Sequence, residues 1–271
     1  MSEEQEKDWK KLTIANHFIF SKVMRDTKIC KEVLCRLLPH MEIKDVKIVE
    51  YEKVMDVSLE TKAVRLDIYL NDGNTIYNLE MQASDIDDLG RRSRFYQAHI
   101  DMDCLAKGEV YHTLKDSFVI FICKFDLFKE GLPVYTFTNL CNENPKIQLK
   151  DGATKIFFNT TSHAMVKDEK MAEFLRFVNR KWEDGFSTED EFIKSLMDKV
   201  ESIKQNEDWE REYMTMNATL SHERYLGEMK KATEMAKKML KKNKPIEEII
   251  EFTELPQSKI EELKEELSVN V

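Results

Sequence analysis

Two short apolar strands joined by a tight turn constrain the fold of this chain more than any other stretch. The sequence of residues 64–82 is VRLDIYLNDGNTIYNLEMQ. Its Asp72-Gly73 dipeptide tolerates the positive φ angles of a two-residue hairpin loop. With these two residues as the loop, Asn71 would face Asn74, and this pairing sets the predicted register of the whole hairpin.

The predicted register places five polar side chains on one face: Arg65, Asp67, Asn78, Glu80 and Gln82. Asp67 would lie opposite Asn78, and Arg65 opposite Glu80. Directly opposed residues of an antiparallel pair project from the same face. Asp67 and Glu80 would therefore be diagonal neighbours, about 7–8 Å apart at the backbone, a distance that one divalent cation can bridge. The other face is apolar and is predicted to face a core: Leu66, Ile68, Leu70, Tyr77, Leu79 and Met81.

The polar face allows two interpretations. Asp67 and Glu80 could be direct ligands of Mg²⁺, which prefers oxygen ligands and keeps several waters. Gln82, on the same face, could then orient the attacking water or a phosphate oxygen. Alternatively, all three could be solvated residues of an edge hairpin, since exposed carboxylates are common. Spacing alone leaves both interpretations open.

Composition excludes several classes of protein. The formal net charge of -9 over 271 residues argues against a general polyanion binder, so nucleic-acid contact would need a local basic patch. No apolar run approaches the roughly 20 residues of a membrane span, and the N-terminal MSEEQEKDWKK is no signal peptide. The five cysteines lack the CxxC spacing of zinc sites and indicate reduced thiols of a cytoplasmic protein.

The remaining elements predict a mixed α/β core followed by helices. Helical periodicity covers residues 13–38 and 89–106, and strands are predicted at 46–54, 117–123, 134–140 and 154–159. The run SFVIFIC at 117–123 is typical of a central strand buried on both faces. One long charged helix is predicted at 207–243, followed by a helix, a turn at 253–255 and a last helix.

Four segments in order resemble the PD-(D/E)XK nuclease family transposases, which include the recombination-promoting nuclease (Rpn) proteins. They are RLDIYL, NDGNTIYNLEMQ, RRSRFYQ and KGEVYHTLKDSFVIFICKFDLF. The resemblance runs from about Ala15, through FNT at 158–160, to the C-terminal KKMLKKNKPIEEIIEFTELPQSKIEEL. It implies a restriction-endonuclease-like mixed sheet flanked by helices at residues 10–165. A helical arm at 166–243 and a small helix-turn-helix-like pair at 244–271 would follow.

The resemblance also implies Mg²⁺-dependent cleavage of DNA phosphodiester bonds, with Mn²⁺ as a possible substitute. By position, Asp67 matches the first metal-binding acid of the family. Glu80 and Gln82 match its E-x-Q version of the (D/E)-x-K motif. Where the wider superfamily has a lysine, Gln82 is neutral, which leaves open what balances the charge of the phosphate.

The helix after the hairpin offers candidates for phosphate contacts. Arg91, Arg92 and Arg94 lie on its first turns, and Tyr96 shares a helix face with Arg92. Arginine is suited to bidentate contacts with phosphate. The alternative is a solvated basic patch that balances the acidic loop at 85–88.

Three further residues are weaker candidates. Glu32, on an early helix, could approach the metal as an additional acid, as happens in relatives of this fold. Lys124 and Asp126 follow the predicted central strand and could lie near the site.

The acidic composition of the last C-terminal helix predicts a role other than the reading of DNA bases. Acidic residues crowd the last helix and would repel phosphates: Glu261, Glu262, Glu265 and Glu266. We therefore predict packing or homo-oligomerisation through this pair. One basic cluster could contact the DNA backbone: Lys237, Lys238, Lys241, Lys242 and Lys244.

Taken together, the sequence predicts a Mg²⁺-dependent DNA endonuclease of transposase or recombination-promoting type. A catalytically inactive nuclease-fold protein that binds DNA or a partner protein is the alternative, favoured by the acidic net charge and the missing lysine. An RNase H-like transposase, with widely separated acids, fits less well because the two key acids lie on adjacent strands of one hairpin.

Overall fold

The structure is a computed structural model of the 271-residue chain. It describes residues 8–55, 64–85 and 88–269, apart from the side chains of residues 48–55, 64–67 and 268–269. The chain divides into two compact units, Met1–Glu207 and Asp208–Val271.

The first unit combines helices and strands. Its helices are α1 (His17–Val23), α2 (Thr27–Leu37), α3 (Leu89–Cys104), α4 (Glu169–Asn179) and α5 (Glu191–Lys204). Its strands are β1 (Lys47–Met55), β2 (Val64–Asn71), β3 (Thr75–Gln82), β4 (Asp116–Cys123), β5 (Val134–Phe137) and β6 (Ala153–Asn159). Short 3₁₀ segments cover Tyr111–Thr113 and Thr160–Met165.

The strands form one mixed sheet in the order β1-β2-β3-β4-β6-β5. Strands β1, β2 and β3 pair antiparallel, β3, β4 and β6 pair parallel, and β5 pairs antiparallel with β6. Helix α3 connects the parallel strands β3 and β4, as a crossover between parallel strands requires. The predicted restriction-endonuclease-like α/β fold class, with β4 at the centre of the sheet, is confirmed.

The predicted hairpin register is wrong by two residues. Asn78 pairs with Tyr69, whereas the sequence placed Asp67 opposite Asn78 and Arg65 opposite Glu80. A shift of two residues keeps every side chain on its predicted face, because side chains alternate with a period of two. The separation into an apolar face and a face that carries Glu80 therefore survives the shift.

The reason for the shift lies in the turn. The carboxylate Oδ1 of Asp72 accepts hydrogen bonds from the backbone amides of Asn74 (3.1 Å) and Thr75 (2.8 Å). These bonds make Asp72 the last residue before the loop, and Gly73 takes the first loop position with φ +100°. The loop is therefore Gly73-Asn74 and not Asp72-Gly73, which moves the pairing by two residues.

Helix α3 covers the sheet face that carries Glu80. One apolar cluster joins the helix to this face: Tyr69, Ile76, Leu89, Tyr96, Ile100, Val119, Phe121, Cys123, Tyr135 and Phe157. Among them, Leu89, Tyr96 and Ile100 are the residues of α3, at the i, i+7, i+11 spacing of one helix face. The polar residues of β3 consequently lie in a covered part of the molecule, at the border of a core.

A buried arginine fastens α2 to the start of α5. The guanidinium of Arg36 contacts both carboxylate oxygens of Asp190, at 2.6 and 3.0 Å, and also Glu32 Oε1 at 2.9 Å. Asp190 is also the N-cap of α5, since it accepts the amides of Phe192 and Ile193. One carboxylate therefore caps a helix and neutralises a buried cation.

The second unit consists of α6 (Glu207–Lys241), α7 (Ile246–Thr253) and α8 (Gln257–Val269). Its small core contains Ala236, Ile249, Leu255, Ile260 and Leu263. Lys237 of the predicted basic cluster forms an ion pair with Glu266 of α8 at 2.9 Å. Within the described residues, no helix is both long and apolar enough to cross a membrane.

The double role of Asp190 predicts an unusually costly substitution. Asp190→Ala should lower the free energy of unfolding by about 3 kcal/mol, because it leaves a buried guanidinium without its main partner. Asp168→Ala removes only the cap of α4, whose carboxylate accepts the amide of Met171, and should cost about 1 kcal/mol. Urea unfolding of both variants measures the difference, and equal losses would contradict the role of Arg36.

The same pair predicts a pH dependence. The hydrogen bond from Arg36 holds the pKa of Asp190 below its usual value. A depressed carboxyl pKa stabilises the folded state above the unfolded pKa, and this contribution is lost as the pH falls through the folded value. The difference in the free energy of unfolding between Asp190→Ala and Asp168→Ala should therefore become smaller as the pH falls.

Candidate functional site

A fully buried glutamate near the C-terminal end of β3 marks the candidate site. Glu80 pairs in register with Phe121 of β4, and Gln82, the last residue of β3, pairs with Cys123. The exposed fraction is 0% for Glu80 and 6% for Gln82. Glutamate is almost never fully buried without a partner. The solvated edge-hairpin interpretation therefore does not hold for these two residues.

Arg92 of α3 supplies the positive charge beside Glu80. Its Nη2 lies 3.1 Å from Glu80 Oε2, and its Nη1 donates to Gln82 Oε1 at 3.2 Å. Its Nε donates to the hydroxyl of Tyr96, four residues further along the helix, at 2.7 Å. The guanidinium also lies over the rings of Tyr96 and Phe121, with its Cζ 5.1 and 5.5 Å from the ring centroids. These contacts place one cation between two polar residues of β3.

The orientation of Gln82 is set by the chain that follows it. Its side-chain amide Nε2 donates to the carbonyl of Ser84 at 2.8 Å. This bond turns Oε1 of Gln82 toward Arg92. The Gln82 backbone carbonyl accepts the amide of Lys124 at 3.0 Å, which extends the pairing of β3 with the chain after β4. An amide oxygen is therefore held in a fixed direction next to the Glu80 carboxylate.

Three buried polar residues on α3 or on the sheet face that it covers have atoms without a hydrogen-bond partner among the described residues: Asn78, Gln97 and His99. Asn78 has no exposed surface, and neither atom of its amide has a partner among the described residues. His99 bonds the Phe95 carbonyl through Nδ1 at 2.9 Å, whereas its buried Nε2 has no partner in the same part of the structure. Buried polar atoms usually have a protein, water or ion partner. Asn78 lies on the same strand face as Glu80, so its amide is a further polar group at this site.

Asp67 is placed by its backbone only, because its side chain lies outside the described residues. Ile68 pairs with Leu79, so a register continued by one residue puts Asp67 level with Glu80. This is closer than the diagonal position that the sequence predicted. Whether the two carboxylates meet stays a prediction.

The donor atoms present suit a hard divalent cation. Glu80, Gln82 and Asn78 offer carboxylate and amide oxygens, the ligand type of Mg²⁺ and Mn²⁺. The guanidinium of Arg92 already occupies the place of a cation beside Glu80. Within the described residues, no group of three or more His, Cys, Asp or Glu side chains could hold a metal. That Asp67 completes such a site stays a prediction.

Cys123, next to Gln82 in the sheet, does not take part as a thiolate. Burial, together with the charge of Asp85, raises the pKa of Cys123 to about 12, although Arg92 opposes the rise. The thiol is therefore protonated at neutral pH. A protonated thiol is a poor nucleophile.

The other predicted phosphate contacts divide into exposed and buried residues. Arg91 and Arg94 are exposed on α3, and Arg91 Nη1 lies 3.3 Å from Asp88 Oδ1. Tyr96 is buried, with 7% of its surface exposed, and its hydroxyl accepts the bond from Arg92. Tyr96 therefore holds Arg92 in position, whereas Arg91 and Arg94 are open to solvent.

Glu32 is not brought to Glu80. Its Oε1 accepts a hydrogen bond from Arg36 Nε at 2.9 Å. Its helix, α2, packs near Tyr77, whose hydroxyl interacts electrostatically with Cys35. Since alternate residues of β3 point to opposite faces, Tyr77 and Glu80 project to opposite sides of the sheet. Glu32 and Glu80 therefore lie on different sides.

Lys124 and Asp126 form hydrogen bonds that stabilise the segments around them. The ammonium of Lys124 donates to the carbonyl of Arg180 at 3.1 Å. The carboxylate of Asp126 accepts hydrogen bonds from three backbone amides of the following loop, those of Phe128, Lys129 and Gly131. It accepts a fourth hydrogen bond from the hydroxyl of Tyr135 on β5. The structure gives both residues contacts away from Glu80.

Sequence reasoning missed two parts of this arrangement. It named Arg92 as a phosphate contact and not as the partner of Glu80, and it did not single out Phe121 as the ring beneath the guanidinium. The i, i+4 spacing of Arg92 and Tyr96 was a visible signal that the tyrosine supports the arginine. The ion pair of Glu80 and Arg92, twelve positions apart in the sequence, left no such local signal.

Comparison with known proteins gives one match. The family model described as PD-(D/E)XK nuclease family transposase matches residues 15–248. No curated protein and no solved structure matches the chain. The matched range contains all six strands and every residue around Glu80.

The burial of Glu80 predicts a strong coupling with Arg92. A double-mutant cycle of Glu80→Gln and Arg92→Gln, measured by urea unfolding without metal, should give a coupling energy of about 2–3 kcal/mol, because either single change leaves a poorly compensated buried group. The matched control is the pair Arg91 and Asp88, with side chains 78% and 64% exposed. Its coupling should stay below about 1 kcal/mol, and a similar value for both pairs would contradict the importance of burial.

Proposed function

The chain belongs to the PD-(D/E)XK nuclease family transposases, and from this premise we propose that it is a metal-dependent DNA endonuclease of transposase or recombination-promoting type. Family membership indicates a nuclease in general, with DNA as the implied substrate. The observation that supports the finer proposal is the fully buried carboxylate of Glu80. A buried carboxylate is costly to a fold unless it is paired or hydrogen-bonded, and a carboxylate held in a fixed position is a ligand type that Mg²⁺ prefers.

Mg²⁺ is the proposed cofactor, and Mn²⁺ is a substitute. The carboxylates of Asp67 and Glu80 would hold the ion, and the fixed amide oxygen of Gln82 would orient the attacking water or a phosphate oxygen. When bound, a divalent ion polarises a phosphoryl oxygen and promotes deprotonation of the attacking water. The role of the chain is to hold these groups in line with the scissile bond and to limit the access of other water.

Positive charge for the substrate would come from α3. Arg92 lies at the site itself, while Arg91 and Arg94 are exposed further out. Arginine binds phosphate through two parallel hydrogen bonds. Because the net charge of the chain is -9, this local basic surface is what would attract DNA. A cytoplasmic location, consistent with five free cysteines, is part of the same proposal.

A catalytically inactive DNA- or protein-binding protein of the same fold is the second candidate. Two observations favour it, namely Gln82 at the position of the superfamily lysine and the guanidinium of Arg92 against Glu80. Calorimetry separates the two functions. A nuclease should bind Mn²⁺ and lose this binding in Glu80→Ala, whereas an inactive relative should bind no ion in either form.

The proposed activity predicts the effect of two substitutions. Purified protein should nick supercoiled plasmid in the presence of Mg²⁺. Asp67→Asn and Glu80→Gln should each reduce the rate by about 100-fold or more, because Lewis-acid stabilisation by a metal is worth several kcal/mol and each 1.36 kcal/mol is tenfold in rate. Agarose gels of nicked and linear plasmid measure the rates.

Glu32→Gln is the matched control for this experiment. It also changes a glutamate to its amide, but on the opposite side of the sheet, where a glutamine can still accept the bond from Arg36. Its rate should equal that of the unmodified protein. Equal cleavage by Asp67→Asn and the unmodified protein would remove Asp67 from the mechanism, and a loss in Glu32→Gln would make Glu32 an additional acid of the site.

A further inference from the structure

The structure gives the buried carboxylate of Glu80 a cationic partner from its own chain. Arg92 Nη2 lies 3.1 Å from Glu80 Oε2, and Nη1 lies 3.2 Å from Gln82 Oε1. A buried carboxylate is strongly disfavoured without a nearby positive charge. In the absence of a metal, Arg92 supplies such a charge to Glu80.

The two members of this pair differ in their freedom to move. Glu80 lies within β3, which pairs with strands on both sides, and it has no exposed surface. The side chain of Arg92 is 33% exposed and begins in the first turn of α3, next to solvent. Rotation about the bonds of its three-methylene stem can carry the guanidinium outward without movement of the helix. Release of the pair is therefore a movement of Arg92 and not of Glu80.

A divalent ion and the guanidinium compete for the same space. Mg²⁺ binds carboxylate oxygens at about 2.0–2.1 Å, and the guanidinium nitrogens already contact the oxygens of Glu80 and Gln82. Like charges this close repel strongly where little water separates them. The two cations therefore compete for Oε2 of Glu80, the oxygen that Arg92 contacts.

We propose that Arg92 and the divalent ion are alternative counter-charges of Glu80. This inference rests on the proposed function. In the metal-free protein the guanidinium neutralises Glu80 and is withheld from the substrate. Metal binding displaces it toward solvent, where it becomes available to a phosphate oxygen of DNA. The ion would thus prepare the phosphate-binding group in the same step in which it occupies the site.

Calorimetric titration of the full-length protein with MnCl₂ tests the competition. At about pH 8, well above the carboxyl range, Arg92→Gln should bind Mn²⁺ about tenfold or more tightly than the unmodified protein, because the ion no longer displaces a cation. Arg92→Lys, which keeps the charge, should bind more weakly than Arg92→Gln. Thermal unfolding should show a lower midpoint for metal-free Arg92→Gln and a larger rise of this midpoint with Mn²⁺.

Arg91→Gln is the matched control, since it removes the same charge from the adjacent, exposed position. Its Mn²⁺ affinity should stay within about twofold of the unmodified protein, because solvent screens an exposed charge. If Arg92→Gln binds Mn²⁺ no more tightly than Arg91→Gln, while Glu80→Gln abolishes binding, the competition is refuted and the metal site stands. If neither the unmodified protein nor Arg92→Gln binds Mn²⁺, the proposed function fails and the inference fails with it.

The unmodified protein offers a second measurement that does not depend on the folding of a variant. The Arg92 Nε–H signal, assigned in ¹⁵N spectra, should shift and exchange faster with water when Mg²⁺ is added, because the bond to Tyr96 opens. The Arg91 signal should change little. An Arg92 signal that is unaltered at saturating Mg²⁺ would show that the guanidinium stays in place and would overturn the proposal.

Discussion

The contact between Glu80 and Arg92 links the fold of the first unit to its candidate chemistry. A cation that reaches a carboxylate with no exposed surface strongly favours its ionised form. That cation comes from α3, whose apolar face covers the same side of the sheet through Leu89, Tyr96 and Ile100. The helix that covers this apolar core therefore also supplies the positive charge beside Glu80 of β3. A displacement of α3 would expose apolar surface and remove the guanidinium of Arg92 from Glu80 at the same time.

The predictable part of this arrangement is the part that depends on local periodicity. Alternation along β2 and β3 gives the two faces of the hairpin correctly, and a register error of two residues leaves them unchanged. The run at 117–123 gives the central strand for a similar reason, since a strand covered on both faces is apolar throughout. This pattern does not tell whether another element covers the sheet face that carries Glu80. Alternation tells which residues share a face, but only the packing of α3 decides whether that face meets water.

The incorrect or missing predictions concern two situations. In one, a side chain determines the backbone conformation of a turn, and in the other, the interacting residues are far apart in sequence. The dipeptide preference of Asp72-Gly73 concerns φ angles, whereas the actual loop follows from hydrogen bonds that the Asp72 carboxylate accepts from two amides beyond it. The pair of Glu80 and Arg92 depends on the loop that connects β3 to α3 and on the rotation of the helix about its axis. Neither quantity can be deduced from the spacing of charged residues. Arg92 was therefore identified by its type, but its partner was not.

The position of Arg92 also gives a physical reason for the neutral residue at Gln82. A lysine there would put an ammonium where Oε1 now accepts a hydrogen bond from Arg92 Nη1 at 3.2 Å, and two cations at that distance repel. A glutamine instead accepts the bond, and its own amide donates to Ser84. The positive charge that the wider superfamily supplies from the strand would here come from the first turn of the helix. An E-x-Q strand and an arginine at this place in α3 are therefore mutually compatible, whereas a lysine at position 82 would require the arginine to leave.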